Sequence, residues 1–246
     1  MRNNEFAWIT YLFVILFIAL MIYLVYFTIV RADTFVNSPY NQRQDAFAQK
    51  VVRGQITDRN SNVLARTDVA EDGTETRVYP YGSLFAHVVG YSDTELGKTG
   101  LESVENFELL TSNAFFVEKI QNEFNGNKNQ GDTVVTTLDA DLQQAAYDAL
   151  GNNKGAVVVM EADTGKILSM VSKPDYDPNN IYADWETLNT DEENSPLLNR
   201  ATSGSYAPGS VFKIVTTLAY MRQDSNYSAY TYDCSGSITM DNTTIP

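Results

Sequence analysis

The chain has 246 residues, 43% of them hydrophobic, enough for a packed core in one or two domains. Asp and Glu number 31 against 17 Lys and Arg, a formal charge of −14 with no basic stripe to neutralise phosphates, so nucleic acid is excluded as a partner. Cys234 and His87 are each the only residue of their type, which excludes an internal disulfide framework and a Cys/His zinc site, and obliges any Ser-His-Asp triad to use His87.

Ala7 to Val30 (AWITYLFVILFIALMIYLVYFTIV) holds 24 residues without a charge. As a helix it spans about 36 Å, enough to cross a hydrocarbon core of about 30 Å. Trp8 and Tyr11 at one end, with Tyr23 and Tyr26 nearer the other, suit the two interfaces. A cleaved signal peptide has a shorter apolar core followed by small residues, whereas RADTF follows here, so the span reads as a retained anchor. Arg2 and the terminal amine place the N-terminus in the cytoplasm, with Glu5 and Arg31 opposing them.

Residues 31 to about 130 read as a mixed, turn-rich module. Lys50 to Ala65 (KVVRGQITDRNSNVLA) predicts short strands joined by a tight turn at Arg59-Asn60-Ser61-Asn62. Ser112 to Phe124 predicts a helix, and Asn125 to Gly131 a linker. Thr133 to Thr137 predicts a strand. Asp139 then caps a helix over Asp141 to Leu150, with Leu142, Ala145, Ala146 and Ala149 as its apolar face. Ala156 to Met160 and Lys166 to Ser172 form a hairpin around Asp163-Thr164-Gly165. A Pro-, Asp- and Asn-rich loop follows to about residue 196. Last comes a buried helix from Ser210 to about Arg222, with Val211, Ile214, Val215, Leu218 and Ala219 as its stripe. The class is α+β.

Ser210-Val211-Phe212-Lys213 is the one Ser-x-x-Lys in the chain. Pro208-Gly209 breaks the chain before it, which puts Ser210 at a helix N-terminus, where free N–H groups and the positive dipole end favour an oxyanion. Lys213, three residues on, shares that face. A partly buried ammonium beside a positive helix end has its pKa lowered, so neutral Lys213 can take the serine proton. Local physics leaves this open beside an ordinary helix with a capping serine and a solvated lysine.

Leu197 to Lys213 (LLNRATSGSYAPGSVFK) resembles the nucleophile segment of class B penicillin-binding proteins. GDTVVTTLDADLQQAAYDAL and KGAVVVMEADTGKILSMVSKPDYDPN resemble the opening of their transpeptidase domain, and VRGQITDRNSNVLA the start of their pedestal. The resemblance implies a cytoplasmic tail (1–6), a transmembrane anchor (7–30), a mostly-β, non-catalytic, dimerisation-like pedestal (31–131) and the first part of a β-lactamase/transpeptidase-like α/β sandwich (132–246). It implies that Ser210 attacks the penultimate D-Ala carbonyl of a peptidoglycan stem peptide with Lys213 as general base, and that β-lactams acylate the same serine. No cofactor or metal is implied. The implied setting is the bacterial cytoplasmic membrane, crossed once, with the bulk of the chain outside and a polytopic glycan polymerase as partner.

The family needs two motifs downstream, Ser-x-Asn and Lys-Thr-Gly. No Ser-x-Asn occurs, and Lys98-Thr99-Gly100 lies upstream of Ser210, where it resembles a pedestal element. The chain stops at Pro246, before the strand that supplies the second oxyanion donor, whose loss costs about a hundred- to a thousand-fold in rate. The expectation is therefore an incomplete chain, inactive alone. The alternative is a non-catalytic scaffold in a wall-synthesis complex, and a β-lactam sensor ranks third. Asp175, Asp177, Asn179 and Glu186 fit positions 1, 3, 5 and 12 of a calcium loop, but Asn180 replaces its glycine, so a polar connection is expected. Glu102 with Glu105, and Asp139 with Asp141, read as surface helix charges or caps. His87 is expected to pack in the pedestal, and Cys234 to be a buried or unpaired thiol.

Overall fold

The computed structural model describes residues 4–31, 50–112, 122, 127–240 and 243–245. The helix predicted over Ser112 to Phe124 lies outside the described residues except at Ser112 and Asn122, as do residues 125 and 126 of the linker. Two compact units are present, Met1–Gly204 and Ser205–Pro246.

Helix α1 (Asn4–Tyr26) continues as a π-helical turn to Arg31. The segment Phe6–Arg31, 26 residues containing an 18-residue stretch of mean hydropathy 2.8, is long and apolar enough to cross a membrane. Its threonines are satisfied internally: Thr10 Oγ1 donates to the Phe6 carbonyl and Thr28 Oγ1 to that of Leu24, each at 2.8 Å.

The first unit is built on strands β1 (Val51–Val52), β2 (Ile56–Thr57), β3 (Val63–Val69) and β4 (Glu75–Val78). Helix α2 (Ala86–Val89), the hairpin β5 (Ser92–Asp93) and β6 (Gly97–Lys98), and helices α3 (Gly100–Val104) and α4 (Asn106–Leu110) follow. Strands β7 (Asn129–Gln130) and β8 (Val134–Val135) return to the sheet: β7 pairs parallel with β1, and β8 pairs parallel with β2. The four-stranded sheet has the order β4-β3-β2-β8. The two returning segments cross so closely that a Cβ on Gly54 would lie 1.9 Å from the Asp132 carbonyl oxygen. Only glycine fits there.

The predicted turn at residues 59–62 forms, and Asp58 organises it. Its carboxylate accepts from the backbone N–H groups of Asn60 and Asn62, both at 2.8 Å, and from Asn62 Nδ2 at 2.9 Å. It also accepts from Ala140 N at 3.1 Å, the first residue of helix α5 (Ala140–Leu150). Asp139 caps the same helix as expected, accepting from Leu142 N. Two carboxylates thus face the positive end of α5.

The buried face of α5 differs from the expected one. Ala145 and Ala149 are exposed; Ala140, Gln143 and Ala146 are buried. The reason is Gln143. Its amide donates to the carbonyls of Leu84 (2.8 Å) and Met170 (2.9 Å) and accepts from Ser169 Oγ and Met170 N. A polar side chain with its bonds so satisfied costs little to bury, so it rather than alanine sets the helix rotation. The strand partners lie in the expected hairpin, β9 (Gly155–Met160) antiparallel to β10 (Ile167–Lys173). The segment expected to be a loop up to residue 196 instead carries helix α6 (Ile181–Thr190). Asp177 caps the 3₁₀ turn Pro178–Asn180 that leads into it, and Ile181, Trp185 and Leu188 pack at helical spacing.

The main core joins Ile56, Leu64, Tyr79, Phe85, Val89 and Leu109 to Leu138 and Ala140. At its side lies a charged cluster. Glu102, expected as a surface helix charge, is 0% exposed. Arg53 Nε donates to its Oε2 at 2.6 Å and Arg77 Nε to its Oε1 at 2.7 Å. Arg53 Nη2 bonds the Glu102 carbonyl (2.6 Å) and Nη1 bonds Asn106 Oδ1, while Arg77 Nη1 bonds the Gly54 carbonyl (2.6 Å). Desolvation lowers the Arg53 pKa, with the Glu102 charge opposing it. Removing the carboxylate charge leaves two guanidiniums uncompensated. Glu102→Gln is therefore expected to destabilise the first unit by about 3–5 kcal/mol. Chemical denaturation followed by circular dichroism measures this, and a loss below about 1 kcal/mol would show the charge pair to be dispensable.

The second unit holds a 3₁₀ turn (Gly209–Val211), helix α7 (Phe212–Gln223) and the hairpin β11 (Ile238–Met240) and β12 (Thr243–Ile245). The helix expected to be buried is exposed along its length, with Val211 at 69% and Leu218 at 56%. An apolar stripe is buried only where another element covers it, and none of the described residues does so.

Candidate active site

Ser210 lies in the 3₁₀ turn directly before α7, as the Pro208-Gly209 break predicts. Gly209 takes φ 53°, which turns the chain into the helix, and Val211 N bonds the Pro208 carbonyl at 3.2 Å. The N-cap position of this turn is Pro208, which has no side chain able to cap it. Lys213 sits in the first turn of α7, three residues on, where neighbours on one face have Cβ atoms about 5–6 Å apart. Lys213 is exposed, against the expectation of a partly buried ammonium, because no described residue of the second unit packs over α7.

The other candidate residues have structural work. Lys98 ends β6, and Thr99-Gly100 opens α3. Thr99 Oγ1 accepts from Tyr91 N, and a Cβ on Gly90 (φ 81°) would lie 2.1 Å from the Thr99 carbonyl oxygen. Lys98-Thr99-Gly100 thus belongs to a tight backbone crossing in the first unit. In the calcium-like segment, Asp177 accepts from Asn179 N and from the side-chain amides of Asn179 and Asn180, and Asp175 accepts from Tyr147 OH at 2.7 Å. Among the described residues no three His, Cys, Asp or Glu side chains are grouped to hold a metal ion. Cys234 is a free, exposed thiol.

The sequence reading missed the residues that hold the run-up to Ser210. Arg200 is buried, and its guanidinium donates to the carbonyls of Asn194, Ser195 (3.1 Å) and Leu198 (3.4 Å). Its backbone N–H donates to Ser172 Oγ of β10 at 2.9 Å. Asn199 Nδ2 donates to the His87 carbonyl at 2.9 Å. Its acceptors are backbone carbonyls, so no side-chain pattern in the sequence marks this clamp.

His87 is buried as expected. Its Nε2 lies 3.1 Å from the Pro174 carbonyl oxygen, and its ring packs edge-on against Tyr176 at 5.3 Å. Desolvation lowers its pKa below the ordinary 6.5, with Arg200 adding to this while the Pro174 bond and Asp175 oppose it. The unfolded chain therefore binds the His87 proton more tightly than the folded one. The stability it contributes is present above about pH 6.5 and is lost as pH falls from there toward the folded pKa. Thermal unfolding between pH 5 and pH 8 checks this. The wild type is expected to lose stability on acidification through that window, and His87→Gln to flatten the slope; equal slopes would contradict it.

Comparison with known proteins gives two family matches: residues 53–134 match the penicillin binding protein A dimerisation domain, and residues 155–246 the penicillin binding protein transpeptidase domain. Peptidoglycan D,D-transpeptidase PbpA of Mycolicibacterium smegmatis is 41% identical over 209 residues, covering 78% of this chain and 42% of the relative. Peptidoglycan D,D-transpeptidase MrdA of Escherichia coli is 32% identical over 175 residues, or 57% of this chain and 28% of the relative. Among solved structures, penicillin-binding protein A from M. tuberculosis, as its imipenem acyl-enzyme complex, superposes with TM-score 0.64 at 35% identity. That match covers 77% of this chain and 45% of the solved one. The chain thus spans less than half the length of these relatives.

Proposed function

The chain belongs to the class B penicillin-binding proteins, and on that premise we propose that it serves peptidoglycan cross-linking by serine acyl transfer, with Ser210 as nucleophile and Lys213 as general base. The observation that carries the proposal is the place of Ser210 in the turn directly before α7, with Lys213 three residues on in the first turn of that helix. The names of the relatives support the reaction class.

In this scheme Lys213 Nζ accepts the Ser210 proton while Oγ bonds to the carbonyl carbon of the penultimate D-Ala of a stem peptide. Negative charge moves to the carbonyl oxygen, where the positive end of the α7 dipole favours it. Collapse breaks the C–N bond, and the terminal D-Ala departs with the proton from Lys213. An amine of a neighbouring stem then attacks the ester and releases Ser210. A β-lactam follows the first half only: its ring amide opens onto Ser210.

The domain division that goes with this reading is a tail (1–6), an anchor (7–30), a pedestal (31–131) and transpeptidase sequence (132–246). The apolar helix crosses the bacterial membrane once with its N-terminus in the cytoplasm, and the pedestal meets a polytopic glycan polymerase. Support comes from the length and hydropathy of Phe6–Arg31 and from the order of the family matches.

Fluorescent penicillin applied to membranes holding the full-length protein tests the scheme. Wild type is expected to label covalently, Ser210→Ala not at all, and Lys213→Ala about a hundred-fold or more slowly. Labelling that survives Ser210→Ala would assign the nucleophile elsewhere. A wild type that never labels would sink the catalytic reading in favour of a non-catalytic scaffold.

A further inference from the structure

His87 is the only histidine in the 246 residues, and no step of the proposed reaction uses it. It lines a cavity of about 470 Å³ in the first unit, together with Tyr176 and with Leu197, Leu198, Asn199, Thr202 and Ser203 of a loop. That loop is nearly self-contained. Arg200 spends its guanidinium on the loop's own carbonyls, those of Asn194, Ser195 and Leu198, and forms no ion pair among the described residues. Neutral hydrogen bonds tie the loop to its surroundings. Arg200 N donates to Ser172 Oγ (2.9 Å), Ser172 Oγ to the Leu198 carbonyl (3.2 Å) and Asn199 Nδ2 to the His87 carbonyl (2.9 Å). Each such bond has a modest net worth.

The charges acting on the ring are divided between two chain segments. Asp175, next to Pro174, attracts a charged imidazole; Arg200, in the loop, repels it more weakly. Helix α2 also packs against α3, β10 and the turn Gly82–Phe85. Their titratable groups are engaged elsewhere: Glu102 between Arg53 and Arg77, and Lys173 on the carbonyls of Tyr147 and Gly151. The turn has none. Burial keeps the phenols of Tyr91 and Tyr176 neutral. A neutral ring that donates Nε2–H to the Pro174 carbonyl has a bare Nδ1, and acid adds its proton there. The new charge strengthens the bond to Pro174 and the pull of Asp175, and sets like charge against the loop. Desolvation is its largest cost, which entry of water relieves. Tyr176 is held by its bond to the Ala86 carbonyl (3.0 Å) and its packing on Tyr91, so the loop is the wall with least to break.

We infer that His87 is an acid-operated latch: charging its ring releases the loop 194–203 from α2 and β10, while Pro174–Tyr176 stay in place against it. The release is local and leaves the sheet closed. The loop precedes Ser210 in the chain, so acid acts on the segment that leads to the nucleophile; that consequence rests on the transpeptidase reading, whereas the latch itself does not.

Native-state hydrogen exchange on the full-length protein in detergent micelles tests the latch, read by mass spectrometry from about pH 7.5 to about pH 5 and corrected for the pH dependence of chemical exchange. The N–H groups of Leu198, Arg200, Ala201, Thr202 and Ser203 are all hydrogen-bonded in the closed loop. Their protection is expected to fall about tenfold or more on acidification, while the amides of β2–β4 keep theirs within about threefold. The midpoint is expected to match the titration of the His87 Cε1–H signal by NMR, assigned by its loss in His87→Gln. That variant keeps an N–H donor and cannot charge, so its loop stays closed throughout. Asp175→Asn removes the attracting charge and moves the midpoint to lower pH. Unchanged loop protection in the wild type, a fall shared equally by β2–β4, or a pH-dependent loop in His87→Gln overturns the inference. Should His87→Gln fail to fold, Asp175→Asn decides: a midpoint that stays or rises overturns it. No activity enters the readout, so a failed latch and a failed transpeptidase reading are told apart.

Discussion

Glu102 holds one carboxylate, with no exposure to solvent, between the guanidiniums of Arg53 and Arg77. Arg53 follows β1, Arg77 sits in β4 and Glu102 in α3, so a single charge fixes three elements drawn from 50 residues of chain. Burying these ions apart costs several kcal/mol each, and they are tolerable only together. That constraint makes the arrangement specific. A shift in strand register would strand a charge, so the sheet has one low-energy register. Tyr79 and Asn106 complete the shell by donating to and accepting from the same groups.

From this cluster the structure runs continuously to the segment that leads to Ser210. Strand β8 adds to β2, and the core takes Leu138 and Ala140 beside Ile56 and Leu64. Asp58 reaches from the β2–β3 turn to the first N–H of α5, Gln143 of α5 binds β10, and Ser172 of β10 binds Arg200. Asn179 makes a paired contact with the backbone of Tyr79, accepting from its N–H and donating to its carbonyl. Most of these contacts are side chain to backbone. They fix the chain path of the first unit with few polar groups left unmet.

Much of this was legible in the sequence where local rules act alone. The long apolar helix, the turn at 59–62, the Asp139 cap, the β9–β10 hairpin and the break before Ser210 each depend on a few adjacent residues. What was misread depends on distant partners. Glu102 looks like any helix-surface acid until Arg53 and Arg77 fold over it. Gln143 looks solvated until the carbonyls of Leu84 and Met170 meet it. The loop expected up to residue 196 was a different failure: Asp177-Pro178 is a helix-start signal, outweighed there by the density of Asn and Asp around it. For the site, the Ser210–Lys213 spacing was visible at once, whereas the Arg200 clamp was not, because its acceptors are backbone carbonyls that no side-chain pattern marks.

The central structural claim is that the β4-β3-β2-β8 sheet shares one cooperative core with α5 and the β9–β10 hairpin. Native-state hydrogen exchange on the full chain, read by mass spectrometry, tests it most directly. The account predicts that the amides of β2, β8, α5 and β10 open together with one free energy. If α5 and the β9–β10 hairpin exchange independently, while β2–β4 stay protected, the shared core is wrong and the run-up to Ser210 is held by local contacts alone.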